Sequence, residues 1–161
     1  MRNNKWLEQK LDFLWLSYFQ DVPKLNNIHI AFGRSAKRRL ASIRQISHKD
    51  KTSDTQIKVT GFYKDPTVPE YVVLTTIAHE LCHYAHGFAS PLPQFSRYPH
   101  HGGIVDRELV RRGLGKSLEM QRVWLKDSWH KIVGDNAPLR RRRRVRKTPF
   151  SIRKWLAVLS S

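Results

Sequence analysis

The chain predicts an α+β fold: an N-terminal helix, a small three-stranded sheet, and then a series of helices, followed by a basic tail. Three observations carry that expectation. Apolar residues recur at spacings of three and four near the N-terminus; period-two alternation takes over between residues 28 and 62; and helical segments bounded by proline and glycine follow from residue 69.

Residues 4–20 carry Trp6, Leu7, Leu11, Leu14, Trp15, Tyr18 and Phe19, which together make one apolar helix face ended by Val22-Pro23. Asn26-Asn27 mark a turn, and Ile28 to Phe32 alternate as a strand stopped by Gly33. A second strand is expected around Leu40 to Ile46, then a polar loop at 49–54. A third strand is expected from Gln56 to Phe62, ending near Asp65-Pro66.

Pro69-Glu70 open the next helix, because proline suits the first turn and an acidic side chain complements the helix dipole there. Gly87 stops it. Phe88 to Gly103, with Pro91, Pro93 and Pro99, reads as a loop, and one this long in a compact domain is more often functional than idle. Two more helices are expected near 104–112 and 117–133, separated by Gly113 and Gly115.

The 161 residues suffice for one domain and a tail, and the formal charge of +17 calls for an anionic partner. Residues 136–161 hold nine Lys and Arg and no acid, so the body, 1–135, keeps +8 from 21 basic and 13 acidic residues. The domain boundary is accordingly placed at Gly134 to Pro138. Cys82 is the only cysteine, which excludes a disulfide framework and any zinc module built on several cysteines. On its helix it reads as a small buried filler. Asp12 interrupts the apolar run Leu11 to Phe19 and no small-residue cleavage site follows, so no secretory signal is expected. No window approaches the roughly 18 uninterrupted apolar residues of a membrane-spanning helix. These readings favour the cytoplasm.

The most specific chemistry lies in His79-Glu80-Leu81-Cys82-His83, an H-E-x-x-H pattern inside an expected helix. Residues four apart share a helix face, so His79 and His83 can direct two imidazoles at one metal ion, while Glu80 can take a proton as general base. That is the zinc peptidase pattern: the ion polarises a water and the carboxylate accepts its proton. Uncharged Leu81 and Cys82, and the apolar flanks Val72-Val73-Leu74 and Ile77-Ala78, suit a buried metal-bearing helix. A third ligand has to come from downstream. The pair His100-His101 ahead of Gly102-Gly103 offers it, with Asp106 and Glu108 as carboxylate competitors. Tyr98, Arg97 and His86 are candidates for stabilising an oxyanion, each with a structural or surface role as the plainer reading.

Ile77-Ala78-His79-Glu80-Leu81-Cys82-His83, followed after a loop by His101-Gly102 and a helix, resembles the SprT-like zinc metalloproteases, a group that includes the Spartan-type proteases of DNA-crosslinked proteins. The resemblance covers roughly residues 5–133. It implies a small zincin-like domain, Zn²⁺ as cofactor, His79, His83 and His101 as ligands, and Glu80 as catalytic base. The chain departs from the family in two respects. A single cysteine rules out the four-cysteine ribbon that many relatives carry, and the histidine doublet leaves the ligand register open between His100 and His101.

In place of a ribbon stand Arg140, Arg141, Arg142, Arg143, Arg144, Arg146 and Lys147. Such a run is often simply solvated, but guanidinium groups suit phosphate pairing, which points to DNA or RNA. Thr148-Pro149 read as a helix start, and Phe150, Ile152, Trp155, Leu156 and Leu159 form one apolar stripe that would dock on the body or lie on an anionic membrane. The expected function is a zinc-dependent peptidase acting on protein substrates near nucleic acid, nucleoid-associated or, in a eukaryote, nuclear. The alternatives are a non-enzymatic nucleic-acid-binding protein with a structural metal, and a regulatory peptidase with a carboxylate third ligand.

Overall fold

Leu7, Leu11 and Leu14 lie on one side of a helix, and α1 (Asn4–Tyr18) buries all three. The Asn3 side chain caps it by accepting the Trp6 N–H at 2.9 Å. The fold is a computed structural model describing residues 1–47, 53–98 and 101–135. His100 and the tail from residue 136, with its arginines and its expected last helix, lie outside the described residues.

Three strands follow: β1 (Ile28–Phe32), β2 (Ala41–Ser47) and β3 (Ser53–Val59). They form a mixed sheet in the order β1-β3-β2, with β3 parallel to β1 and antiparallel to β2. The register sets Ile30, Ile57 and Ile43 in one buried row across the sheet. On the solvent side Arg44 donates to the Gln56 side chain at 2.9 Å.

The third strand sits upstream of its expected place at 56–62. Ser53 and Asp54, expected in the polar loop, pair with Ser47 and Ile46. Gly61–Lys64 is a 3-10 turn. The reason lies in Phe62 and Tyr63: both are buried, which strand alternation does not allow, and both set their rings edge-on against Trp129, 5.7 and 5.8 Å away.

The remaining helices are α2 (Glu70–Ala85), α3 (Ile104–Arg111) and α4 (Gly115–Asp135), so α4 starts two residues before the expected 117. The chain is thus an α+β protein with four helices and a small three-stranded mixed sheet among the described residues. None of those helices is long and apolar enough to cross a membrane. α2 lies at the centre, packed against α1, β2, β3, α3 and α4. It is rich in β-branched residues (Val72, Val73, Thr75, Thr76, Ile77), which are mediocre helix formers, so burial on nearly every side is what sustains it.

One polar junction ties α3 to the segment after α1. The Arg112 guanidinium is almost fully buried, stacks 4.3 Å over Phe19, and pairs with Asp21 at 2.6 Å and Glu108 at 2.7 Å.

Candidate functional site

His79 and His83 stand one turn apart on α2, and their Nε2 atoms lie 3.2 Å from each other. His83 is only 2% exposed and Glu80 7%, while His79 is half-buried. All three line a cleft of about 540 Å³. Its other walls are Leu40 to Ile43 with Arg38 and Arg39 just before them, and Thr76, Phe88 and Gln121.

The chain beyond α2 is held where it turns. Gly87 adopts φ +75°, and a Cβ there would meet the Pro93 carbonyl oxygen at 2.3 Å, so glycine alone allows the loop to fold back. The Phe88 N–H then donates to the His83 carbonyl at 2.9 Å, and the Phe88 ring lies 5.6 Å from the His83 ring. Thr55 Oγ1 donates to the Ala89 carbonyl at 2.7 Å and Ser90 Oγ to that of Tyr84 at 2.7 Å. Upstream, Gln121 reaches from α4, its Nε2 donating to Thr76 Oγ1 at 2.8 Å and to the Val72 carbonyl at 3.0 Å. The histidine pair is therefore braced on both sides by side chains distant in sequence.

Burial pushes the Glu80 carboxyl up to about 7, against the pull of the Arg39 guanidinium. A carboxyl poised there can both accept and release a proton near neutral pH. The two imidazole nitrogens stand at a hydrogen-bonding distance that a shared zinc ion would also allow. Tetrahedral zinc with Zn–N bonds of about 2.0–2.1 Å holds two imidazole nitrogens about 3.3 Å apart, close to the 3.2 Å found here.

The structure does not bring the third expected ligand to this pair. His101 is exposed in the 3-10 turn His101–Gly103 and does not line the cleft, and among the described residues no three His, Cys, Asp or Glu are grouped to hold a metal. The carboxylate competitors are engaged elsewhere. Asp106 pairs with Arg122 at 2.6 Å, and Glu108 with Arg111 at 2.6 Å as well as with Arg112. The hydrogen bond from Arg111 holds the Glu108 carboxyl below its usual range.

His86 belongs to a second cleft, about 510 Å³, where its ring lies 3.9 Å from Glu108 and its Nδ1 is buried without a partner. Arg97 and Tyr98 are exposed, the guanidinium 5.8 Å from the tyrosine ring. None of these three lines the cleft that holds Glu80. Cys82 is buried and its thiol is pushed up to about 12 by that burial, as a space-filling role requires.

Sequence reasoning missed the cleft walls. Arg38 and Arg39 were readable as a basic run, but their place beside α2 depends on the sheet. Thr76 and Gln121 carry no local signal. No family model matches the chain, and neither a curated protein nor a solved structure matches it significantly.

Proposed function

We propose that this chain is a zinc-dependent peptidase of the SprT-like kind, a zincin-like domain in which α2 is the metal-bearing helix. The observation that carries the reading is the 3.2 Å approach of the His79 and His83 Nε2 atoms, with buried Glu80 in the same cleft. His79 and His83 would hold the ion, and the His-Gly step at His101 would supply the third ligand. Asp106 and Glu108 fit that role less well, because arginines already occupy them.

Zinc, when bound, supplies a Lewis acid that polarises a water and the scissile carbonyl. Glu80 takes the proton of the attacking water and delivers it to the leaving amide nitrogen, a role suited to a carboxyl raised by burial. β2 is an edge strand of the described sheet and its residues wall the cleft, so an extended peptide can lie along it. Arg140–Arg144, Arg146 and Lys147 would hold DNA or RNA by its phosphates, which directs the activity to nucleic-acid-associated proteins and to the compartment that houses them.

The test is digestion of a DNA-bound basic protein, with and without single-stranded DNA, by wild type, Glu80→Gln and chelator-treated protein. Glu80-dependent, chelator-sensitive cleavage is expected, at rates lowered roughly 10²–10⁴-fold in the variant. Equal digestion by wild type and variant would defeat the reading. A second reading, a nucleic-acid-binding protein with a structural metal, draws on the formal charge of +17. It predicts nucleic-acid binding and no Glu80-dependent cleavage.

A further inference from the structure

The segment between β1 and β2 reads Gly33-Arg34-Ser35-Ala36-Lys37-Arg38-Arg39-Leu40, and its four cationic side chains are all exposed. Elsewhere among the described residues four Lys and Arg side chains form ion pairs with acids. Lys10 pairs with Glu70, Arg111 and Arg112 with Glu108 and Asp21, and Arg122 with Asp106. Among the described residues no carboxylate forms an ion pair with Arg34, Lys37, Arg38 or Arg39. Arg39 acts on Glu80 only through space.

The backbone that displays them is pinned. Gly61 N–H donates to the Arg34 carbonyl at 3.1 Å, and Thr60 Oγ1 bonds both the N–H and the carbonyl of Ala36 at 3.1 Å. Trp129 Nε1 donates to the Lys37 carbonyl at 2.9 Å, and Thr60 N–H to that of Leu40 at 2.7 Å. A Cβ on Gly61 would sit 2.9 Å from both the Gly33 carbonyl oxygen and Ser35 Oγ, so glycine lets the turn close against this segment. Four charges without an ion pair among the described residues, on a backbone anchored from Thr60, the following turn and α4, lose little order on meeting a polyanion.

Two of them, Arg38 and Arg39, line the same cleft as Phe88, a residue 37% exposed. Cations that share a cleft with an exposed aromatic residue suit a single nucleic-acid strand, phosphates on the arginines and a base against the ring. A membrane surface fits poorly, since it asks for apolar side chains among the cations. Arg34 to Arg39 include no exposed large apolar residue.

We infer that the segment Arg34 to Arg39 is a phosphate-binding element for single-stranded nucleic acid on the folded body, separate from the arginine tail and set at the mouth of the His79–Glu80–His83 cleft. It requires neither zinc nor peptidase activity.

Fluorescence anisotropy of a labelled oligothymidylate with the full-length chain tests this. The variant Arg34→Ala/Lys37→Ala/Arg38→Ala/Arg39→Ala should bind more weakly than wild type. The slope of log K against log salt should shrink by roughly 0.7 per lost contact, up to about 3 for all four. Arg38→Gln/Arg39→Gln, with unchanged circular dichroism, should show a smaller change in the same direction. An unchanged affinity and slope in both variants, with the whole loss appearing when Arg140–Arg144 are replaced by alanine, would overturn the proposal. So would loop variants that keep oligothymidylate binding but lose binding to phosphatidylserine vesicles or to polyglutamate.

Discussion

The Nε2 atoms of His79 and His83 approach to 3.2 Å on one face of α2, with the Glu80 carboxyl buried in the same cleft. Two ring nitrogens so close, on the most enclosed helix of the fold, are held there by packing. Phe88 lies against His83 from the C-terminal side, and Gln121 locks the turn that precedes His79.

Ile57 is fully buried between Ile30 and Ile43, at the centre of the central strand. Ile57→Ala should cost about 2–5 kcal/mol of folding stability, through lost burial and a residual cavity. A urea unfolding midpoint lowered at constant slope is the expected result.

Arg112 predicts a pH-dependent effect. Glu108 is held below the usual carboxylate range chiefly by its hydrogen bond from Arg111, and Asp21 chiefly by its hydrogen bond from Arg112. A depressed carboxylate binds its proton more readily in the unfolded chain. Its contribution is therefore complete above the unfolded pKa, about 4.3 for Glu and 3.9 for Asp, and is lost as pH falls through the folded values. Arg112→Met should destabilise by about 3 kcal/mol at neutral pH, because the largely buried Glu108 loses one of its two arginines. The gap from wild type should narrow in acid, as read from urea midpoints across pH.

Gly87→Ala should unfasten the loop that carries Phe88. The left-handed backbone and the 2.3 Å approach to the Pro93 oxygen leave no room for a methyl group. A loss of more than about 1 kcal/mol is expected, with faster proteolytic nicking between residues 88 and 98. Unchanged nicking and stability would show that the loop can be rebuilt around a side chain.

The sequence revealed what depends on neighbours along the chain. β1 was expected at Ile28 to Phe32 and lies there, because Asn26-Asn27 and Gly33 bound it. His79, Glu80 and His83 were legible because one helix carries all three. The third strand was misplaced because Phe62 is drawn out of the alternation by Trp129, far along the chain. The β1-β3-β2 order, the Arg112 junction and the walls contributed by Arg38, Arg39 and Gln121 arise from contacts between distant segments. Residue spacing does not encode such contacts.

The most direct test of the central claim is the zinc content of the purified full-length chain after dialysis against a metal-free buffer. The account predicts stoichiometric zinc in wild type and in Glu80→Gln, and loss of it in both His79→Ala and His83→Ala. Wild type without zinc affinity, or zinc retained undiminished in the two histidine variants, would contradict it.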